Sequence, residues 1–252
     1  MPTKEGLFEE LPNELILQIA GLLPITDVLP LKSATYNSIQ ILEWRIQPSE
    51  YLKSTGPFIN ADDLMDVMAK HGAAVSGSRT LAYFLPGSAV NTSDWDIYVP
   101  PIPTSVMAVK NDLDHSGVTF ESCLQRAARQ LQKGSVFLTA NQMISIVHKA
   151  NHLKRAWLPQ EQAVVDAIRR RYPALRNIGQ SIFSFYASHV QCILTKHVAF
   201  HMYYTLAAQN TAYTWRVPQV LKGKAEAAIQ KYKQRGFQFT TAPNGADWNL
   251  RS

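Results

Sequence analysis

The chain has 252 residues, 46% of them hydrophobic, with five tryptophans, ten tyrosines and ten phenylalanines, enough apolar side chain for a packed core. Its net charge is +6, and no apolar run approaches the length that spans a bilayer. Two cysteines, Cys123 and Cys192, make neither a disulfide framework nor a zinc spacing.

Those features, and a start (Met1-Pro2-Thr3-Lys4-Glu5) without signal-peptide pattern, lead to the expectation of a cytoplasmic or nuclear protein with no membrane partner. Charge is uneven along the chain. The first 56 residues hold four Lys/Arg against seven Asp/Glu, a net of −3, which leaves +9 for the rest. That asymmetry points to two modules with different partners.

The first predicted element is a helix opening at Pro12, with acids in its first turn as the helix dipole favours. Leu15, Ile16, Ile19, Leu22 and Leu23 recur at helical spacing and give it a wide apolar face. Pro24 stops it. Thr26 reads as the N-cap of a second helix through Val28, Leu29 and Leu31, with Pro30 in or just past the first turn.

This run, Leu11-Pro12-Asn13-Glu14-Leu15-Ile16 followed by Ile19, Leu22-Leu23 and Asp27-Val28, resembles the F-box. That family docks substrate receptors onto cullin-RING ubiquitin ligases. The resemblance implies contact with the ligase adaptor subunit through Leu11, Pro12, Leu15, Ile16 and Ile19, and an unidentified protein client elsewhere. Further on, Ser33-Ala34-Thr35-Tyr36-Asn37 departs from the family's pattern.

Breaks at Gln47-Pro48-Ser49 and Ser54-Thr55-Gly56-Pro57 place a module boundary between Pro48 and Asn60, giving an all-helical module over 1–52 and a second domain over 57–250. Within the latter, Ala61–Lys70 reads as a helix. Ala73 to Val99 then reads as strand, Gly77-Ser78 turn, short helix, a loop through Pro86-Gly87-Ser88, and a second strand carrying Asp94 and Asp96. Strand alternation puts the two carboxylates on one face and Trp95 and Ile97 on the other.

Adjacent carboxylates repel unless a positive group intervenes. A hard cation such as Mg2+ takes oxygen ligands from one or two carboxylates plus substrate phosphates. The Gly77-Ser78 amides at a helix start, with Arg79 next, offer a phosphate seat.

Together Gly77, Ser78, Asp94, Trp95, Asp96 and Ile97 resemble the signature of polymerase-beta-like nucleotidyltransferases. The resemblance implies an α+β fold: the helical module followed by a mixed α/β domain, with nucleotide at Gly77, Ser78 and Arg79 and Mg2+ at Asp94 and Asp96. Active members add a third carboxylate on a later strand. The strand expected at 189–194 holds Gln191 instead, which neither takes a proton as a base nor ligates metal well. The remaining acids available are Asp112, Asp114, Glu121, Glu161 and Asp166. The reading is therefore an adaptor with a pseudoenzyme-like domain, and the alternative an active nucleotidyltransferase.

Downstream, helices are expected over 104–113, 120–131 and 161–172, and a hairpin over 134–147. A strand ending near Leu194 is followed by a helix through His201 and Leu206, and a last helix spans 224–235. The pairs His148/His152 and His197/His201 have zinc spacing on a helix but no completing ligands, so they read as core or cleft histidines. Arg169-Arg170-Arg171 and the run Lys222, Lys224, Lys231, Lys233 and Arg235 read as solvated faces with the interleaved Tyr172, Tyr232 and Phe237 turned inward, and nucleic acid is not an expected partner.

Overall fold

A computed structural model of the chain describes residues 11–34, 39–91, 93–100, 102–116, 185–215 and 219–242, with positions 118, 170 and 182. Helices dominate, with two small sheets among them. Four helices come first: α1 (Asn13–Leu22), α2 (Ile25–Ala34), α3 (Ile39–Ile46) and α4 (Pro48–Thr55). Then follow α5 (Ala61–Lys70), β1 (Ala74–Ser76), α6 (Gly77–Phe84), β2 (Asp96–Tyr98) and α7 (Pro103–His115). The C-terminal part holds a 3-10 turn at Ser188–Val190, β3 (Cys192–Leu194), β4 (Ala199–His201), α8 (Tyr204–Ala208), β5 (Thr211–Thr214), α9 (Gln219–Lys233) and β6 (Gln238–Thr241). The helices expected at 120–131 and 161–172, the hairpin at 134–147 and the His148/His152 pair lie essentially outside the described residues.

The main sheet is antiparallel in the order β2-β1-β3-β4, and β5 and β6 form a parallel pair. Alternation gives the sheet two apolar faces. Val75, Cys192 and Leu194, with Ile97 beside them, face the principal core, which takes in Leu52, Leu64, Met65, Met68, Leu81 and Val109 from α4, α5, α6 and α7. Ala74 and Ile193 turn to the other side against Tyr98, Phe200 and Ile182.

A separate small core joins the first helices. Ile16 and Ala20 of α1 meet Val28 of α2 and Leu42 of α3. The corner between α1 and α2 is held by Arg45, 3% exposed, whose guanidinium donates to the carbonyls of Ala20 (3.2 Å) and Leu23 (3.0 Å) at the end of α1. Orphan carbonyls at a helix C-terminus take a cation well. Ile25 belongs to the principal core, the Tyr83 hydroxyl donates to the Ile46 carbonyl, and Thr26 shares a 2.7 Å hydrogen bond with the Tyr204 hydroxyl.

Several local expectations shift. The N-cap of α2 is Pro24, whose carbonyl accepts from Asp27 and Val28, and Thr26 lies inside the helix. Pro30 falls in the second turn. The break expected at Gln47-Pro48 is present, with α3 ending at Ile46 and Gln47 extended, and Pro48 opens α4, because a proline at the first helical position loses only an N–H that has no partner there. His201 ends a strand: β3 turns at residues 195–198 and returns as β4, pairing Cys192 with His201.

Candidate functional site

The candidate site forms where β1 ends and α6 begins. Gly77 has φ +74°, a left-handed conformation that glycine adopts without strain. β2 lies antiparallel to β1 with Asp96 directly opposite Ser76. That register lays the Asp96 carboxylate over Gly77 so closely that a Cβ there would fall 2.1 Å from Oδ2. Gly77 is thus fixed twice, by backbone and by carboxylate. Behind it, Ser76 donates to the Cys192 carbonyl at 2.7 Å and ties the floor of the site to β3.

Asp94 precedes β2 and is exposed; Asp96 is half-buried. Burial raises the Asp96 carboxyl above its ordinary range, the neighbouring Asp94 charge adds to the rise, and Lys231 of α9 opposes it. Trp95, between the two acids, turns inward, its ring 5.0 Å from Phe58 and 6.1 Å from Tyr51. The alternation expected from sequence holds across this tripeptide.

Ser78 is 6% exposed, with its hydroxyl near that of Tyr232. Arg79 is tied to the loop before Asp94. Its Nε donates to the Ser93 carbonyl (3.0 Å), its Nη2 to the Asn91 carbonyl (2.6 Å), and its guanidinium lies 5.4 Å from the Trp95 ring centroid.

Among the described residues, no cluster of three or more His, Cys, Asp or Glu could hold a metal. Gln191 sits one residue ahead of β3, wholly buried, its amide donating to the Phe185 carbonyl at 3.3 Å. Asp112 and Asp114 ride on α7, which packs on α5; Asp112 feels the charge of Asp63, and Asp114 pairs with Lys110 at 2.9 Å. Glu121, Glu161 and Asp166 lie outside the described residues. What is present, two carboxylates of hard oxygen beside backbone amides, matches the donor set of a Mg2+ ion that also takes substrate phosphates.

In the first helices, the five residues expected to meet an adaptor are placed differently from one another. Pro12 is exposed, and its carbonyl caps α1 by accepting from Leu15 and Ile16. Leu15 (43%) and Ile19 (38%) are exposed, and Leu22 (79%) continues their line at helical spacing. Ile16 is 2% exposed, facing the small core, and Leu11 packs against that core's edge.

Four residues that sequence reasoning did not assign to the site converge on it: Ser93, Lys231, Tyr232 and Arg235. The basic run at the end of α9 was legible as charge. Its aromatics are expected to turn inward, as Tyr232 does (3% exposed), whereas the reach of Arg235 across to the loop before Asp94 is set by tertiary packing alone. The chain matches no family model, no curated protein and no solved structure. Among the described residues no helix is long and apolar enough to cross a membrane.

Proposed function

We propose that this chain is an F-box-like substrate receptor. Its first helices dock on the adaptor subunit of a cullin-RING ubiquitin ligase, and its α/β region presents the Gly77–Asp96 site to a client or nucleotide. The observation that carries this reading is α1. The helix buries Ile16 and Ala20 and leaves Leu15, Ile19 and Leu22 outward in one stripe, with Leu29 of α2 also exposed. Such a stripe on a monomer is disfavoured unless a partner covers it, and a helix face with anchors at i, i+4 and i+7 is a common way to fill a partner's groove. The resemblance of the Leu11-Pro12-Asn13-Glu14-Leu15-Ile16 run to the F-box supports the choice of the ligase adaptor as that partner.

The test is co-expression of the full chain with the adaptor subunit, followed by size exclusion. A stoichiometric complex that is lost in the Leu15→Glu/Ile19→Glu variant supports the reading. Both positions are on the surface, so the variant retains its fold. Failure to co-elute, or a complex indifferent to these substitutions, defeats it.

A second reading concerns the carboxylate pair, and the fit of Asp96 over Gly77 favours it. Here Asp94 and Asp96 hold a Mg2+ ion, the amides of Gly77 and Ser78 seat the phosphates of a nucleotide, and the protein is a nucleotidyltransferase or a nucleotide-binding relative of one. The ion would neutralise phosphate charge and polarise the phosphorus centre. Mg2+-dependent nucleotide binding that disappears in Asp96→Asn supports it. Nucleotide binding equal with and without Mg2+ overturns it.

A further inference from the structure

We propose that Arg235, acting with Arg79, is a positioning residue that holds Asp94 beside Asp96 by gripping Ser93. The proposal rests on the second reading above, that this pair takes a hard cation together with an anionic ligand.

The geometry is a clamp on one serine. Arg235 follows α9 and reaches 142 residues back along the chain to donate from Nη2 to the Ser93 hydroxyl at 3.1 Å. Its Nη1 donates to the Ser88 carbonyl at 2.8 Å. From the other side Arg79 takes the Ser93 carbonyl and the Asn91 carbonyl. The Ser93 hydroxyl also accepts from the Val90 amide at 3.1 Å. Ser93 is 5% exposed, and the next residue, Asp94, is out in solvent. Each guanidinium is itself held flat, Arg235 with its carbon 5.1 Å from the Tyr232 ring centroid and Arg79 against Trp95.

The physical need for such a clamp lies in the pair it supports. Asp94 and Asp96 repel each other, and Asp94 sits on a loop that would relax by swinging away. Planar, permanently charged donors that grip the preceding residue by carbonyl and hydroxyl oppose that swing. Holding the two carboxylates together before an ion arrives removes an ordering cost from binding. Two nitrogens of each guanidinium are engaged by the loop, and through them the arginines act on Ser93. The rival account is a staple that orders the 88–93 loop for stability alone.

Three full-length variants separate these accounts: Arg235→Gln, Arg235→Lys and Ser93→Ala, the last removing only the gripped hydroxyl. The probe is Tb3+, a hard oxygen-seeking cation whose luminescence Trp95, between the two acids, would sensitise. Hydrogen exchange over residues 86–94 reports the loop independently. We expect faster exchange in Arg235→Gln and Ser93→Ala, with Tb3+ affinity about tenfold or more weaker, the usual effect of removing a group that orients a metal ligand. Arg235→Lys, with one ammonium where two N–H donors stood, should recover part of the affinity. Unchanged exchange overturns the clamp. Faster exchange with unchanged Tb3+ affinity overturns the positioning role and leaves a staple. A wild-type protein silent toward Tb3+ overturns the cation reading itself and the positioning role with it.

Discussion

The two regions of this molecule place their apolar and polar side chains in opposite ways. Helices α1 to α3 close over four fully buried residues, Ile16, Ala20, Val28 and Leu42, and carry Leu15, Ile19, Leu22 and Leu29 on the outside. The α/β region buries many more apolar residues and brings polar groups inward with them: Ser76, Ser78, Ser93, His189, Gln191 and His201 are all buried. A thin core with an apolar exterior is what a docking module needs, since its outer face is completed by a partner. A thick core that pins polar groups is what a site needs, since side chains are held only by what surrounds them. The seam between the regions is polar as well as apolar: Arg45 lies over the Tyr83 ring, the Tyr83 hydroxyl donates to the Ile46 carbonyl, and Thr26 meets the Tyr204 hydroxyl.

Core truncations give the largest expected effects and test whether the regions unfold separately. Leu81 of α6 and Leu42 of α3 are both fully buried. Each Leu→Ala change should cost about 2–5 kcal/mol. Leu81→Ala should lower the melting transition of the whole chain. Leu42→Ala should speed hydrogen exchange in α1 to α3 while β1 and β3 stay protected. Equal acceleration everywhere would mean a single cooperative unit.

Next comes pH, which should act on the α/β region and spare the first helices. His189 is wholly buried against Tyr232 (ring centroids 4.1 Å), Phe237 and Phe239, and neither ring nitrogen has a hydrogen-bond partner among the described residues. Burial pushes its pKa down to about 3, with the charges of His201 and Arg235 adding to the fall; His201, buried beside Phe84 and Tyr204, falls to about 4. Both are neutral in the folded state, whereas the unfolded chain protonates them below the usual 6.5. The unfolded state therefore binds more protons, and stability falls as pH drops from 6.5 toward 4, by up to about 1.4 kcal/mol per pH unit for each histidine. Denaturant melts at stepped pH should show this slope, and His189→Phe should roughly halve it. A flat profile from pH 6.5 to 4.5 would refute the assignment.

Much of this was readable in advance where the chemistry is local. The helix at Ala61–Lys70, the turn at Gly77, and the inward Trp95 between two outward acids all follow from periodicity and from what glycine allows. Features set by distant partners were not readable. His201 lies at helical spacing from His197, yet pairing with Cys192 makes its segment a strand. Arg79 sits beside a Gly-Ser turn, and no local pattern announces that its Nε and Nη2 also reach the carbonyls of Ser93 and Asn91. Arg235 looked like one more surface cation because no local pattern encodes a loop 142 residues away.

Smaller effects sharpen the contrast between a site and a docking face. Asp96 is held above its ordinary pKa by burial and by Asp94, so its charged form is disfavoured in the fold. The sign is that stability is lost as pH rises through that range, so Asp96→Asn should melt slightly higher than wild type at pH 7. The same change should abolish Tb3+ or Mg2+ binding. A functional carboxylate that costs stability is the expected trade. Asp96→Asn melting lower than wild type would mean that the carboxylate is structural.

The smallest effect on stability is expected on α1, and there its smallness is the point. Leu15 and Ile19 are more than a third exposed, while Ile16, one residue and about a quarter-turn from Leu15, is almost wholly buried in the small core. Leu15→Ala and Ile19→Ala should stay within about 0.5 kcal/mol of wild type, as surface changes do, whereas Ile16→Ala loses a packed side chain and should cost about 2 kcal/mol or more. Thermal melts of the three variants would place them in that order. If Leu15→Ala destabilised as much as Ile16→Ala, the stripe would already be packed against the protein's own chain. Nothing would then remain on α1 for a partner to cover, and the docking reading would fall without any binding experiment.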